Sequence, residues 1–141
     1  MTIDPSNAKL DLNLRVRDLT ASIDWYTRMF GAPPIYQGVD RALDGAAVQM
    51  ACFRIGGVKV WLLPRLTDAP TSPTQSVGMA LMTRQPLVEV RRELTRRGAV
   101  FDDSPRPNFN VDENGLRVGL DAEFFYILDP DGHRWEYCRT F

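Results

Sequence analysis

The amino-acid sequence predicts an α+β fold built from two βαβββ modules, in which a curved mixed sheet surrounds a cavity and the helices lie on its outer face. Two internal repeats support this fold class. Residues 14–32 align without a gap on residues 81–99, and each copy has the pattern of a strand, a turn, an amphipathic helix and a glycine stop. Residues 53–62 are similar to residues 126–137. Two related halves imply a pseudo-twofold architecture, and we expect a ligand cavity at the seam between them.

The first module, about residues 8–64, begins with a strand. Apolar and polar residues alternate from residue 10 to residue 17, which is typical of a strand with one buried face. Asp18 and Thr20 are candidate caps of the helix that follows, and Gly31 ends that helix. Three short strands are then predicted, the last two joined by a tight glycine turn, at residues 34–37, 48–55 and 58–64.

The second module, about residues 77–138, repeats this order. Its predicted elements are a strand, a helix, a short strand and a hairpin, at residues 77–83, 86–97, 99–102 and 123–138. The hairpin turns at Asp129-Pro-Asp-Gly132, a sequence that favours a tight turn. Residues 65–76 are rich in Pro, Ser and Thr and are predicted to link the modules. Residues 103–121 form either a lid over the cavity or a disordered excursion.

Length and composition narrow the function. A chain of 141 residues with 44% hydrophobic content buries one good core, so we expect residues 1–141 to form a single domain. The net charge is −1 and the charges are interspersed, which argues against nucleic acid as a partner. The absence of a signal peptide and of a long apolar stretch predicts a cytoplasmic protein without a membrane partner. Cys52 and Cys138 are expected to be buried, reduced thiols.

Two motifs carry a resemblance to a known family. The first runs from Leu14 through Trp25-Tyr26 to Gly31, and the second is Asp129-Pro-Asp-Gly-His-Arg-Trp-Glu136. Together with the double βαβββ repeat, they make the chain similar to the vicinal oxygen chelate superfamily, which contains glyoxalase I, extradiol dioxygenases, fosfomycin-resistance enzymes and bleomycin-resistance proteins. The resemblance covers nearly the whole chain after residue 8. It implies a homodimer with a small organic molecule as partner, but the fold hosts many activities.

Metal-dependent members of that superfamily bind a divalent ion through four ligands on four strands, usually His and Glu. The resemblance places these positions at Asp11, Trp61, Gly78 and Glu136. Only Glu136 matches the pattern of the family, since Trp61 and Gly78 have no side-chain ligand atom. We therefore expect no metal cofactor and no dedicated metal ligands. Asp11 and Glu136 would hold a hard divalent cation only weakly.

Alternation along the strands predicts which side chains line the cavity in place of a metal. Residues two apart on a strand share a face. The predicted ligand-binding set is Asp11, Asn13, Arg15, Trp61, Gly78, Met82, Arg134 and Glu136. Trp61 is either a platform on which a ligand ring stacks or bulk that fills a cavity without a ligand. The set suits a planar or amphipathic organic molecule.

Two classes of function are consistent with this face. The first is a binding protein similar to bleomycin-resistance proteins, which sequesters or carries an organic ligand such as an antibiotic without a metal. The second is an enzyme of the same fold, of isomerase, lyase or dioxygenase type, in which Glu136 and Asp11 act as acid and base or hold a weakly bound metal. Both carboxylates could instead simply pair with arginines. The histidine of the second motif, His133, is predicted to be an exposed turn residue.

Overall fold

The structure, a computed structural model, describes residues 5–41, 45, 47–65, 78–106 and 109–141. The chain divides into two compact units, residues 1–68 and residues 69–141. Among the described residues, each unit has one mixed sheet and one α-helix, so the predicted α+β class and the modular order are confirmed. The predicted linker lies outside the described residues from residue 66 onward, and so does Val77, the first residue of the predicted fifth strand.

Unit 1 has the predicted βαβββ order. After a single 3₁₀ turn at Pro5–Asn7, its elements are β1 (Asp11–Val16), α1 (Leu19–Phe30), β2 (Tyr36–Arg41), β3 (Ala47–Ile55) and β4 (Val58–Pro64). The sheet order is β1-β4-β3-β2, with β1 parallel to β4 and the other pairs antiparallel. The turn between β3 and β4 places Gly56 and Gly57 at φ angles of 58° and 80°, which only glycine adopts readily.

Helix α1 begins and ends close to the predicted positions. Asp18 is the N-cap, since its Oδ1 accepts a hydrogen bond of 3.0 Å from the backbone N–H of Ala21. The second candidate cap, Thr20, lies inside the first turn because the helix already begins at Leu19. Gly31 ends the helix at a φ of 75°. The buried side of α1 packs on the sheet.

Unit 2 repeats this order with one added strand. Its elements are β5 (Met79–Met82), α2 (Leu87–Arg96), β6 (Val100–Phe101), β7 (Arg117–Val118), β8 (Ala122–Leu128) and β9 (Arg134–Thr140). The sheet order is β5-β9-β8-β6, β7 also pairs with β8, and β5 is parallel to β9. The short β7 was not predicted, because the segment around it shows no alternation. In the described part of the chain, no helix is long and apolar enough to cross a membrane.

Each sheet has one face buried against its helix and one face left for other contacts. In unit 2, Phe125, Ile127 and Trp135 are almost completely buried, and they lie on one face of β8 and β9. The residues between them point to the opposite face, as alternation predicts. The same sorting in unit 1 buries Val60 and Leu62 of β4. The predicted site residues on the strands belong to the faces opposite these cores.

Tyr137 should make the stability of the protein depend on alkaline pH. Burial raises the pKa of Tyr137 from 10.0 to about 12, with the charge of Arg97 opposing. Its contribution to stability is fully present below the unfolded pKa and is lost as the pH rises through about 12, because the unfolded chain loses this proton first. We expect the free energy of unfolding of Tyr137→Phe to fall less than that of the wild type as the pH rises over this range. Urea unfolding of both proteins at several values between about pH 9 and pH 11.5 measures it, and parallel pH profiles would contradict the assignment.

Candidate functional site

The exposed face of the unit 1 sheet carries a row of four side chains. The strand register pairs Asn13 of β1 with Trp61 of β4, Trp61 with Cys52 of β3, and Cys52 with Tyr36 of β2. Asn13 is exposed and Trp61 is half-buried, whereas Cys52 is buried within the row. The row therefore offers two accessible aromatic rings with a thiol between their strands.

Trp61 is held in place by the carboxylate at the start of β1. Its Nε1 donates a hydrogen bond of 3.0 Å to Oδ2 of Asp11. Tyr36 meets the Trp61 ring edge to face, with 5.9 Å between ring centroids. The Tyr36 ring in turn lies over Gly38, where a Cβ atom would collide with the Tyr36 hydroxyl. Asp11 and Trp61, which were predicted as separate site residues, thus form a hydrogen-bonded pair. Tyr36 was not in the predicted set and joins the site through its contact with Trp61.

The two cysteines are free and buried, as predicted. Burial is the main cause that raises the pKa of the Cys52 thiol. The positive charges of Lys59 and Arg54 lower this pKa, and the negative charge of Asp11 raises it further. Burial also raises the pKa of the Cys138 thiol, and the charge of Glu136 and a hydrogen bond with it act in the same direction. Both thiols therefore stay protonated near neutral pH, which is unsuited to a nucleophile.

Arg15 lies apart from the Trp61 row. Its Nη1 donates a hydrogen bond of 3.1 Å to the carbonyl oxygen of Pro64. It lines a groove of about 430 Å³ whose other described walls are Leu19, Ala47, Val48, Gln49, Pro64 and Arg65. A smaller groove of about 230 Å³ is lined by Leu19, Gln37, Gly38, Val39, Gln49 and Met50. Trp61 lines neither of these two grooves.

The exposed face of the unit 2 sheet carries the remaining predicted residues. Gly78 precedes β5 in open space, since a Cβ atom there would meet nothing within 4 Å. Met82 is 62% exposed. Glu136 pairs in register with Ala80 on one side and Tyr126 on the other. Within the described residues Glu136 forms no ion pair, because Arg134 reaches a different carboxylate.

That carboxylate belongs to a group of side chains of which the sequence predicted only Arg134, here named the Tyr126 cluster: Tyr126, Arg106, Arg117, Arg134 and Asp102. The guanidinium carbons of Arg134, Arg106 and Arg117 lie 4.5, 4.9 and 5.8 Å from the centroid of the Tyr126 ring. These distances are within the range of cation–π attraction. The cluster thus gathers three positive charges around one phenol ring, next to Glu136.

Arg117 is the anchor of the cluster. It is only 1% exposed and donates hydrogen bonds to the carbonyl oxygens of Phe109 (2.6 Å), Ser104 (2.6 Å) and Asp102 (3.2 Å). Phe109 also packs against Phe124 with 5.2 Å between ring centroids. The described part of the segment 103–121 is therefore folded onto the exposed face of β8.

Asp102 is shared between the arginines and a serine. Its Oδ1 accepts hydrogen bonds from the Ser104 hydroxyl (2.5 Å) and the Ser104 N–H (3.2 Å). Its Oδ2 lies 3.5 Å from Arg106 and 3.6 Å from Arg134. Burial opposes ionisation of Asp102, but the Ser104 hydrogen bonds and the two arginine charges outweigh it and hold the pKa below its usual value. Asp102 is therefore ionised at neutral pH.

The four positions that correspond to metal ligands do not fit a first-row metal. Within the described residues, no group of three or more His, Cys, Asp or Glu side chains is gathered where it could hold an ion. Asp11 is bonded to Trp61, and neither Trp61 nor Gly78 offers a ligand atom. His133, the single histidine of the sequence, lies in the turn before β9. His133 is half-buried, whereas the sequence predicted an exposed turn residue. Its backbone N–H donates a hydrogen bond to Oδ1 of Asp129.

Comparison with known proteins identifies the relatives of this fold. The sequence model of the family described as Glyoxalase/Bleomycin resistance protein/Dioxygenase superfamily matches residues 10–137. A glyoxylase/bleomycin resistance protein/dioxygenase domain from Frankia sp. EAN1pec superposes with a TM-score of 0.68 at 17% identity, covering 96% of this chain and 93% of that chain. No curated protein matches the sequence significantly.

Fosfomycin resistance proteins have the same fold. The FosX protein of Listeria monocytogenes, in its hexagonal form, superposes with a TM-score of 0.65 at 18% identity, covering 96% of this chain and 94% of that chain. A mutant of that protein complexed with Mn(II) and 1S,2S-dihydroxypropylphosphonic acid superposes with a TM-score of 0.61 at 16% identity, covering 93% and 90%. At these identities the likeness shows the fold alone.

Proposed function

The chain belongs to the Glyoxalase/Bleomycin resistance protein/Dioxygenase superfamily, and on that premise we propose that it binds a planar or amphipathic small organic molecule without a metal cofactor. In this proposal the protein sequesters or carries the molecule in a resistance-type role. The observation that carries the proposal is the hydrogen bond between Asp11 and Trp61. Metal-dependent members of the superfamily have metal ligands at these two positions. This chain instead has a carboxylate and an aromatic ring that the carboxylate orients.

The geometry around Trp61 is suited to stacking. Because Asp11 accepts the indole N–H, a ligand ring can lie on Trp61 without leaving that donor unsatisfied. Tyr36 restrains the indole from one side by its edge-to-face contact. A ring that is already fixed loses little conformational entropy when a ligand binds. The proposal therefore gives Trp61 the role of the platform and Asp11 the role of its positioning residue.

The alternative is an enzyme of the same fold, and one observation favours it. Glu136 has no ion pair within the described residues, contacts the Cys138 thiol and lies beside Tyr126 in the sheet register, so no arginine or lysine occupies the carboxylate that would act as acid or base. The fate of the ligand separates the two classes. A binding protein returns the ligand chemically unchanged, whereas turnover that is lost in Glu136→Gln would identify the enzyme.

We also propose that two chains associate as a homodimer, as the resemblance implies. The support in this chain is a set of well-exposed apolar side chains, among them Leu120 at 98% and Phe141 at 73%. Sedimentation equilibrium should give about twice the chain mass of 16.0 kDa. A mass of one chain at micromolar concentration would contradict the proposal.

Tryptophan fluorescence tests the binding proposal. Trp25 and Trp135 are 6% and 2% exposed, so Trp61 is the indole that solvent and ligands reach. We expect planar heteroaromatic amphiphiles, titrated in the presence of EDTA, to change the emission saturably. Trp61→Ala should weaken the affinity, measured by calorimetry, by about 2- to 12-fold, since a lost aromatic contact is worth about 0.5–1.5 kcal/mol.

Trp25→Phe provides the matched control, because Trp25 is buried in α1 and packs against Tyr26. It should leave the affinity unchanged while removing one indole from the signal. Equal affinity in Trp61→Ala and the wild-type protein would overturn the role of Trp61. Binding that disappears in EDTA and returns with a divalent metal would overturn the metal-independent proposal.

A further inference from the structure

We propose that the Tyr126 cluster is a binding subsite for the oxyanion of an organic ligand, a carboxylate, phosphate or phosphonate attached to an apolar group. This inference rests on the proposed function, since it names the chemical class of the ligand. It concerns unit 2 alone and uses none of the residues of the Trp61 row. Its basis is the excess of guanidinium groups over carboxylates around Tyr126 and the donors that these groups leave unused.

The charges of the cluster favour an anion. Three guanidinium groups lie within 6 Å of the Tyr126 ring centroid. Asp102 is the carboxylate in contact with Arg106 and Arg134, and Glu136 is the register partner of Tyr126. Arg117 is 1% exposed and forms no ion pair within the described residues, since its hydrogen bonds go to backbone carbonyls. A buried positive charge without a carboxylate partner attracts an anion strongly, because the surroundings screen it weakly.

The donors of the two outer arginines are incompletely used. The Nε atoms of Arg106 and Arg134 are buried and have no hydrogen-bond partner within the described residues. Asp102 satisfies these groups poorly, because its Oδ2 lies at 3.5 and 3.6 Å and its Oδ1 is bonded to Ser104. The Arg106 and Arg134 side chains remain 32% and 28% exposed, so a small oxyanion can reach them. Guanidinium donors in a fork match carboxylate and phosphate oxygens.

The surroundings of the cluster favour an organic anion over a free inorganic one. Phe124 packs edge to face with Tyr126, with 5.7 Å between ring centroids, and Phe109 packs on Phe124. Phe109 is 36% exposed. An apolar surface thus continues from the charged cluster along β8. A ligand whose anionic group contacts the arginines can place an adjoining ring on this surface.

The arginine Nε–H signals of the ¹⁵N-labelled full-length protein test the subsite directly. Benzoate, methylphosphonate and inorganic phosphate are titrated separately at constant ionic strength set with chloride. We expect the Nε–H signals of Arg106 and Arg134 to shift saturably with benzoate or methylphosphonate, and more weakly with inorganic phosphate. Arg134→Gln should weaken the affinity about tenfold, and Arg134→Lys should weaken it as well, because lysine keeps the charge and loses the fork.

Arg92→Gln is the control for net charge, because Arg92 is exposed on α2. It should leave the affinity unchanged. Signals that do not shift, or that shift equally with chloride, would overturn the subsite even if Trp61 binds neutral ligands. Saturable shifts without any Trp61 response would keep the subsite and reject the proposed function. If Arg92→Gln and Arg134→Gln lost the same affinity, the anions would be bound by the net positive charge and not by the Tyr126 cluster. That result would overturn the inference.

Discussion

Arg117→Met is expected to lower the free energy of unfolding by about 3–4 kcal/mol, because it removes the buried guanidinium that donates hydrogen bonds to three backbone carbonyl oxygens. Those oxygens belong to Phe109, Ser104 and Asp102, which Arg117 binds at 2.6, 2.6 and 3.2 Å. The same change removes the anchor of the segment that carries Arg106. Urea unfolding of the full-length protein measures the loss, with the midpoint and slope compared to the wild type.

Two further variants make this prediction specific. Arg117→Lys should lose less stability than Arg117→Met, since lysine still donates hydrogen bonds but cannot reach three carbonyls in a fixed plane. Arg92→Met on the exposed side of α2 should stay within about 0.5 kcal/mol of the wild type. A loss of less than about 1 kcal/mol in Arg117→Met would show that Arg117 does not hold Asp102, Ser104 and Phe109 in place.

Asp129→Ala is expected to cost about 2–3 kcal/mol, because Asp129 organises the turn that positions β9 and Glu136. Asp129 is 5% exposed, and its Oδ1 accepts hydrogen bonds from the N–H groups of Asp131 (2.9 Å) and His133 (2.8 Å). Alanine leaves both donors without that acceptor. Thermal and urea unfolding measure the change.

Asp129→Asn separates the hydrogen bonds from the charge. Asparagine keeps an oxygen at the same place and forms the same kind of turn, so this variant should lose less than half as much stability as Asp129→Ala. If both variants lose the same amount, the charge of Asp129 stabilises the turn and the acceptor geometry does not.

The fold was predictable because its signals are local. Alternation along β1, the cap at Asp18 and the glycines at 31, 56 and 57 each depend on residues a few positions apart. The short β7 escaped prediction because two residues are too few to show a period, and its pairing with β8 is tertiary. Helix α2 was predicted one residue too long at each end, which is the usual uncertainty of helix boundaries.

The site was predictable only in part because its contacts are long-range. Asp11 and Trp61 were both candidates, but their hydrogen bond follows from the parallel register of β1 and β4, which no local pattern shows. The Tyr126 cluster was missed for the same reason, except for Arg134. Arg106 and Arg117 lie in an irregular segment, and only the folded backbone brings them to one ring. A buried arginine in such a segment has no signature in sequence.

The direct test of metal-independent binding is the metal content of the protein. Protein purified without chelator is incubated with Mn, Fe, Ni, Zn or Mg salts, desalted and subjected to elemental analysis. With Trp61 and Gly78 at ligand positions and Asp11 bonded to Trp61, we expect less than about one metal ion per ten chains to remain. About one ion per chain surviving desalting would contradict this account, and it would make the enzyme the leading function.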